Sequence, residues 1–256
     1  MLQKAKSSAR VRRGDDALTP ILRRGLYETI FRRRDVRVFR RDPVPNEVVA
    51  RILIAAHHAA SVGFTQPWDF VLVRDRERRA EVKRVFEEER LKNAAQFAGR
   101  RRALFGTLKL EGILDAPLNL IVTCRRDRFG PGVIGKVSLA DVEVYSTCLA
   151  VANLWLAARA EGLGVGWVSI VRNTALRRIF KIPREVLPVA YLCLGYTEGF
   201  PSRPVLESTG WASRLPPREL LHFDSWENPA GTDPALVRLV QSPAIWRQIL
   251  FSPILR

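Results

Sequence analysis

Apolar positions recur along this chain with two different periods, and the changes between them mark out its regular elements. From Ile21 onward, Leu22, Leu26, Ile30 and Phe31 fall at helical spacing and run into the charged stretch 32–34. A second helix is announced by Asp42-Pro-Val-Pro and carried by Glu47, Val48, Ile52, Leu53 and Ala56, with its end expected near His58. Phe70–Val73 and Leu118–Cys124 are short apolar runs closed by charged residues, the pattern of core strands. Between them, residues 76–114 return to helical spacing, with Val82, Val85, Phe86 and Leu91 on one face and a weaker stretch from Gly99 to Gly112 suited to a lid. Residues 138–161 are apolar on nearly every side, which predicts a helix in the middle of a core or in a subunit interface. Gly162–Gly166 ends it, Trp167–Val171 reads as a third strand, 173–180 as a short helix and Val189–Leu194 as a fourth strand.

This order lacks the strict alternation of a doubly wound domain and predicts an α+β fold, a central mixed sheet flanked by helices with a long buried central helix. Residues 1–20 are polar, basic and aperiodic, the mark of a flexible arm. The domain is expected over 21–228, and 229–256 is an extension with one weak amphipathic stretch, Ala235–Leu250.

Charge changes the picture only near the amino terminus. The 256 residues hold 42 Lys and Arg against 26 Asp and Glu, a net +16 that raises nucleic acid or phosphorylated small molecules as partners. Residues 1–41 carry thirteen of the basic residues and only four acidic ones, so the excess is an arm plus one Arg cluster rather than a charged groove. A basic nucleic-acid-binding module is therefore the weaker reading, and no specific nucleic acid is expected. No apolar run approaches a membrane span, and no apolar segment follows the basic start as a signal peptide requires. Cys124, Cys148 and Cys193 lie in apolar runs without CxxC spacing and read as small buried hydrophobes in a reducing compartment. A cytoplasmic protein with no membrane partner is expected.

Four segments could carry chemistry. Arg32-Arg33-Arg34-Asp35-Val36-Arg37 offers planar, permanently charged donors suited to phosphate around a lone carboxylate that its neighbours are expected to hold ionised. Taken alone, it reads first as a solvated basic patch. Ala59–Trp68 strings Ser61, Gly63, Gln66 and Trp68 along one loop between a helix and a strand, a chemistry able to meet a flat heterocycle, or merely a turn set by Pro67. Gly164-Val-Gly-Trp-Val-Ser169 lets backbone approach a ligand or a neighbouring helix, with Ser169 pointing to one face; in isolation a buried, backbone-bonded Ser is the commoner case. Gly195–Pro204 is a strand exit that could place Arg203 on a phosphate. One of His57 and His58 is expected to be buried and bonded, and neither has partners spaced for a metal, so no metal is expected. There is no dinucleotide or P-loop fingerprint and no Ser-His-Asp arrangement.

These four motifs, in this order over about residues 20–227, resemble the nitroreductase superfamily. The resemblance implies an FMN-binding homodimer with the flavin at the subunit interface. Arg33, Arg34, Asp35, Val36, Arg37 and Arg203 would then serve the phosphate end, and Ser61, Gln66, Trp68 and Ser169 the ring. Asp35 stands where the family usually has Ser, and the loop reads Ser-Val-Gly-Phe-Thr-Gln-Pro-Trp; both are similar to the BluB subgroup, as is Pro204-Val-Leu-Glu-Ser-Thr-Gly-Trp211. That subgroup implies reduced FMN as a substrate that is fragmented with O2 to 5,6-dimethylbenzimidazole, the lower ligand of vitamin B12, with Asp35 and Ser169 catalytic and a separate flavin reductase supplying reduced FMN. Ala60 and Val38 depart from the subgroup's usual Pro and Gly. The alternative within the superfamily is a conventional NAD(P)H-dependent FMN nitroreductase or flavin reductase.

Overall fold

The computed structural model describes residues 17–228 and 233–245. The basic arm up to residue 16, and the amphipathic stretch beyond 245, lie outside the described residues. The described chain falls into two compact units, one from Arg32 to Arg214 and one made of the residues before Arg32 and after Arg214. In the second unit, α1 (Pro20–Arg32) has no buried residue, and Tyr27 stacks on Phe31 with ring centroids 5.9 Å apart.

The larger unit is built on four strands, β1 (Trp68–Val73), β2 (Leu118–Arg125), β3 (Gly164–Trp167) and β4 (Val186–Gly195), in the order β1-β2-β4-β3. Every named pair is antiparallel; the parallel component of the expected mixed sheet is an isolated bridge between Asp35 and Val165. β2 is buried from Leu118 to Cys124 because helices cover both of its faces, and its buried Asn119 donates to the Ile113 carbonyl and the Tyr191 hydroxyl. Side-chain alternation sorts the core into two layers. Leu120, Val122, Ala190, Leu192 and Leu194 meet Ile52 and Ala56 of α2 (Asn46–His57) and Ala150, Leu154 and Ala158 of α5 (Val142–Ala160). Ile121, Tyr191 and Cys193 meet Val82 and Phe86 of α3 (Arg76–Ala94) and Leu176 and Ile179 of α6 (Asn173–Phe180). The uncertain stretch after α3 contains α4 (Gly99–Thr107), and α7 (Val205–Ser208) follows the sheet. In the smaller unit, α8 (Pro234–Gln241) is capped by Asp233, whose carboxylate accepts from the Leu236 amide at 2.9 Å.

Two expectations are corrected. The long helix starts at Val142 rather than 138, because Asp141 before it adopts left-handed φ of 60°, and only one face is buried: Tyr145 and Leu149 remain 53% and 50% exposed. The third strand lies at Gly164–Trp167 rather than Trp167–Val171. Its glycines are the reason: a Cβ on Gly166 would stand 2.1 Å from the Val36 carbonyl oxygen, and one on Gly164 would stand 2.9 Å from the Val36 side chain. The close approach that these glycines allow is therefore to the segment 35–37, not to a helix.

Candidate functional site

The site begins where that segment docks on β3. The Val36 amide donates to the Val165 carbonyl at 2.9 Å, and the Trp167 amide donates to Asp35 Oδ1 at 3.1 Å. Arg37 Nη2 donates to the Trp167 carbonyl at 2.7 Å and also pairs with Asp35 Oδ2. α5 supports the preceding arginines from below: Trp155 Nε1 donates to the Arg34 carbonyl at 3.4 Å, and the Arg33 guanidinium lies 4.9 Å from the Trp155 ring centroid. Arg34 Nη2 reaches the Ser202 carbonyl at 2.7 Å, which brings the strand exit around Arg203 to the same end of the fold.

Two adjoining cavities open here. One, of about 250 Å³, is lined by Arg33, Arg34, Asp35, Arg37, Leu108–Leu110, Pro204–Leu206 and Arg214. The other, of about 390 Å³, shares Asp35, Arg37, Leu108, Lys109 and Val205. The first therefore gathers four arginines and Lys109 around one carboxylate, and Arg37 Nη1 is buried without a hydrogen-bond partner. Burial lowers the Arg33 pKa, and Arg34 and Arg214 lower it further while Asp35 opposes them. Such crowding of like charge is relieved by an anion, so the residues present fit a phosphate-bearing ligand.

Asp35 supplies the one carboxylate that lines this cavity. Its side chain is 44% exposed; partial desolvation pushes its pKa up from the ordinary value, while Arg37, the Trp167 amide and Arg33 pull the other way. A carboxyl shifted this way is a stronger base when ionised.

The remaining expected site residues lie on three other elements. Ser61 Oγ accepts the Gln66 amide at 3.1 Å, and Ser146 of α5 accepts the Val62 amide at 3.1 Å, so α5 also anchors this loop. Gly63, Phe64 and Gln66 adopt φ of 50°, 57° and 39°, a tight left-handed path that leaves Phe64 83% exposed. Trp68 is only 3% exposed, packed in the core with its indole N–H donating to His57 Nδ1 at 3.3 Å. Both His57 and His58 are exposed, contrary to the expectation that one is buried. Ser169 lies beyond the end of β3, exposed, beside a separate cavity of about 200 Å³ with Trp167 and Asn173. The cavity residue that sequence reasoning missed is Arg214, which stands beyond the last motif with nothing local to flag it; Leu108 and Lys109 belong to the stretch expected to form a lid.

A sheet with these helices on its two faces, with an Arg-rich segment docked on its last strand, defines a nitroreductase-type protein. Residues 30–196 match the nitroreductase family, and the chain belongs to that family. Within it, the chain is 41% identical over 197 residues to a 5,6-dimethylbenzimidazole synthase of Rhodospirillum rubrum, covering 77% of this chain and 93% of that protein. It is 39% identical over 201 residues to a 5,6-dimethylbenzimidazole synthase of Rhodobacter capsulatus, with 78% and 93% covered. Oxidised iodotyrosine deiodinase, solved with FMN and 3-iodo-L-tyrosine, shares the fold at a TM-score of 0.62 and 22% identity, over 78% of this chain and 100% of that one.

Proposed function

We propose that this protein is a 5,6-dimethylbenzimidazole synthase that fragments reduced FMN with O2, the product serving as the lower ligand of cobalamin. The observation that carries the reading is Asp35, a carboxylate held by the Trp167 amide and by Arg37 in a cavity that it shares with Arg33, Arg34 and Arg214. The 41% identity to a synthase of that name supports the same reading.

Reduced FMN supplies the electrons that O2 takes up and the atoms of the benzimidazole. The protein's residues do the rest. Arg33, Arg34 and Arg214 hold the phosphate, with Arg203 nearby on the strand exit. Asp35, steadied by the Trp167 amide, accepts a proton from the ribityl chain, and Arg37 fixes the carboxylate's orientation through Oδ2. Val36 contributes through its backbone bond to Val165. Ser61 and Gln66 meet the ring, Trp68 sets their loop from the core, and Ser169 relays a proton at the ring edge. The exposed Tyr145 and Leu149 face of α5 supports a homodimer. A separate cytoplasmic flavin reductase provides the reduced FMN.

The test is an anaerobic incubation of the protein with chemically reduced FMN, opened to air and followed by liquid chromatography and mass spectrometry. Dimethylbenzimidazole appearing as flavin disappears is the expected result. Quantitative return of oxidised FMN, with rapid NADPH oxidation when that donor is added, would make the protein a conventional reductase instead.

A further inference from the structure

We infer that Trp211 is a positioning residue, the latch that holds α4 closed over the cavity beside Asp35. Phe105 is the one residue of α4 that is buried, and α4 starts without a side-chain cap, after Ala98 and at Gly99 with φ of 51°. Such a helix has little of its own to hold it in place. What grips it is a strap from a distant part of the chain. The Trp211 indole packs edge-on against Phe97 at 5.1 Å and tilted against Phe105 at 6.1 Å, and the Arg101 guanidinium lies 4.3 Å from its ring centroid. Trp211 is itself tied back, its amide donating to the Leu206 carbonyl at 2.9 Å.

The same two segments wall the cavities. Leu108 and Lys109, at the end of α4, line both of them with Asp35, and Val205, from the strap, lines both from the other side. Arg90 Nη2 pins the far end of α4 through the carbonyls of Gly106 at 3.0 Å and Leu108 at 3.2 Å. The contacts of Trp211, together with Arg90, therefore hold the wall formed by residues 107–109 beside the strap, and a closed wall keeps bulk water from the reacting atoms.

Hydrogen exchange on the full chain without flavin tests the latch directly. In Trp211→Ala, amides of residues 99–108 should exchange about tenfold faster while those of β2 and β4 keep their protection, and Trp211→Phe should restore most of the loss. Unchanged exchange in 99–108 overturns the inference; so does an equal rise in β2 and β4, which would make Trp211 an ordinary part of the fold. A second arm rests on the proposed function. There, Trp211→Ala should return several-fold more of the flavin as oxidised FMN with H2O2, two electrons and two protons passing from reduced FMN to O2, at the expense of benzimidazole. An unchanged partition alongside faster exchange overturns the claim that closure matters to the reaction. A wild-type protein that makes no benzimidazole sinks the functional reading alone and leaves the latch to the exchange data.

Discussion

Replacing Gly166 with Ala tests the central construction of the site, because the added methyl meets atoms that have nowhere to go. The new Cβ would stand 2.1 Å from the Val36 carbonyl oxygen and 2.8 Å from Arg37 Nη1. The oxygen is backbone, so relief requires residues 35–37 to move off β3 by about an ångström or more, which breaks the 2.9 Å Val36–Val165 bond and the 3.1 Å contact of Asp35 with the Trp167 amide. Overpacking plus the two lost hydrogen bonds amounts to about 2–4 kcal/mol. For a domain of this size that is roughly 5–15 °C in Tm, read by thermal denaturation, together with loss of FMN binding measured by flavin fluorescence. Gly132→Ala is the control, since nothing lies within 4 Å of its Cβ and it should leave Tm within about 1 °C. A Gly166→Ala protein with the melting point and flavin affinity of the wild type would refute the idea that this glycine exists to let Asp35 dock.

Three further outcomes are expected. If Asp35 acts as a base, kcat/KM for benzimidazole formation falls as pH drops through its pKa, and because burial raises that pKa the acidic limb lies above 3.8; a profile flat down to pH 4 would remove Asp35 from that role. Arg214→Ala should weaken FMN binding roughly ten- to hundredfold, the worth of a charged hydrogen bond, and more than Arg203→Ala does, since Arg214 and not Arg203 lines the cavity; titration calorimetry giving the reverse order would reassign the phosphate contact. Leu149→Arg places a charge on the exposed apolar face of α5 and should convert dimer to monomer in light scattering, whereas a variant that stays dimeric puts the interface elsewhere.

Much of this architecture was legible because burial on two faces leaves a plain trace. β2 and β4 read as largely apolar runs, and α2, α3 and α6 keep helical spacing on the face that packs. The third strand misled because Val168, Ile170 and Val171 have the side chains of a strand, whereas the true strand is half glycine, chosen for what lies against it rather than for propensity. The Arg33–Arg37 cluster was visible because its residues are adjacent. Arg214 was not, since folding alone brings it to Asp35.

The docking of residues 35–37 has a consequence for solubility. β3 is a terminal strand of the sheet, and terminal strands offer open amide and carbonyl groups that another chain can pair with. Here the Val165 carbonyl, the Trp167 amide and the Trp167 carbonyl are taken up by the Val36 amide, the Asp35 carboxylate and the Arg37 guanidinium. The residues to which the proposed chemistry is assigned also seal the sheet's rim. Substitutions that loosen them therefore open a template for aggregation as they dismantle the site, and such variants are expected in the insoluble fraction rather than as soluble, inactive protein.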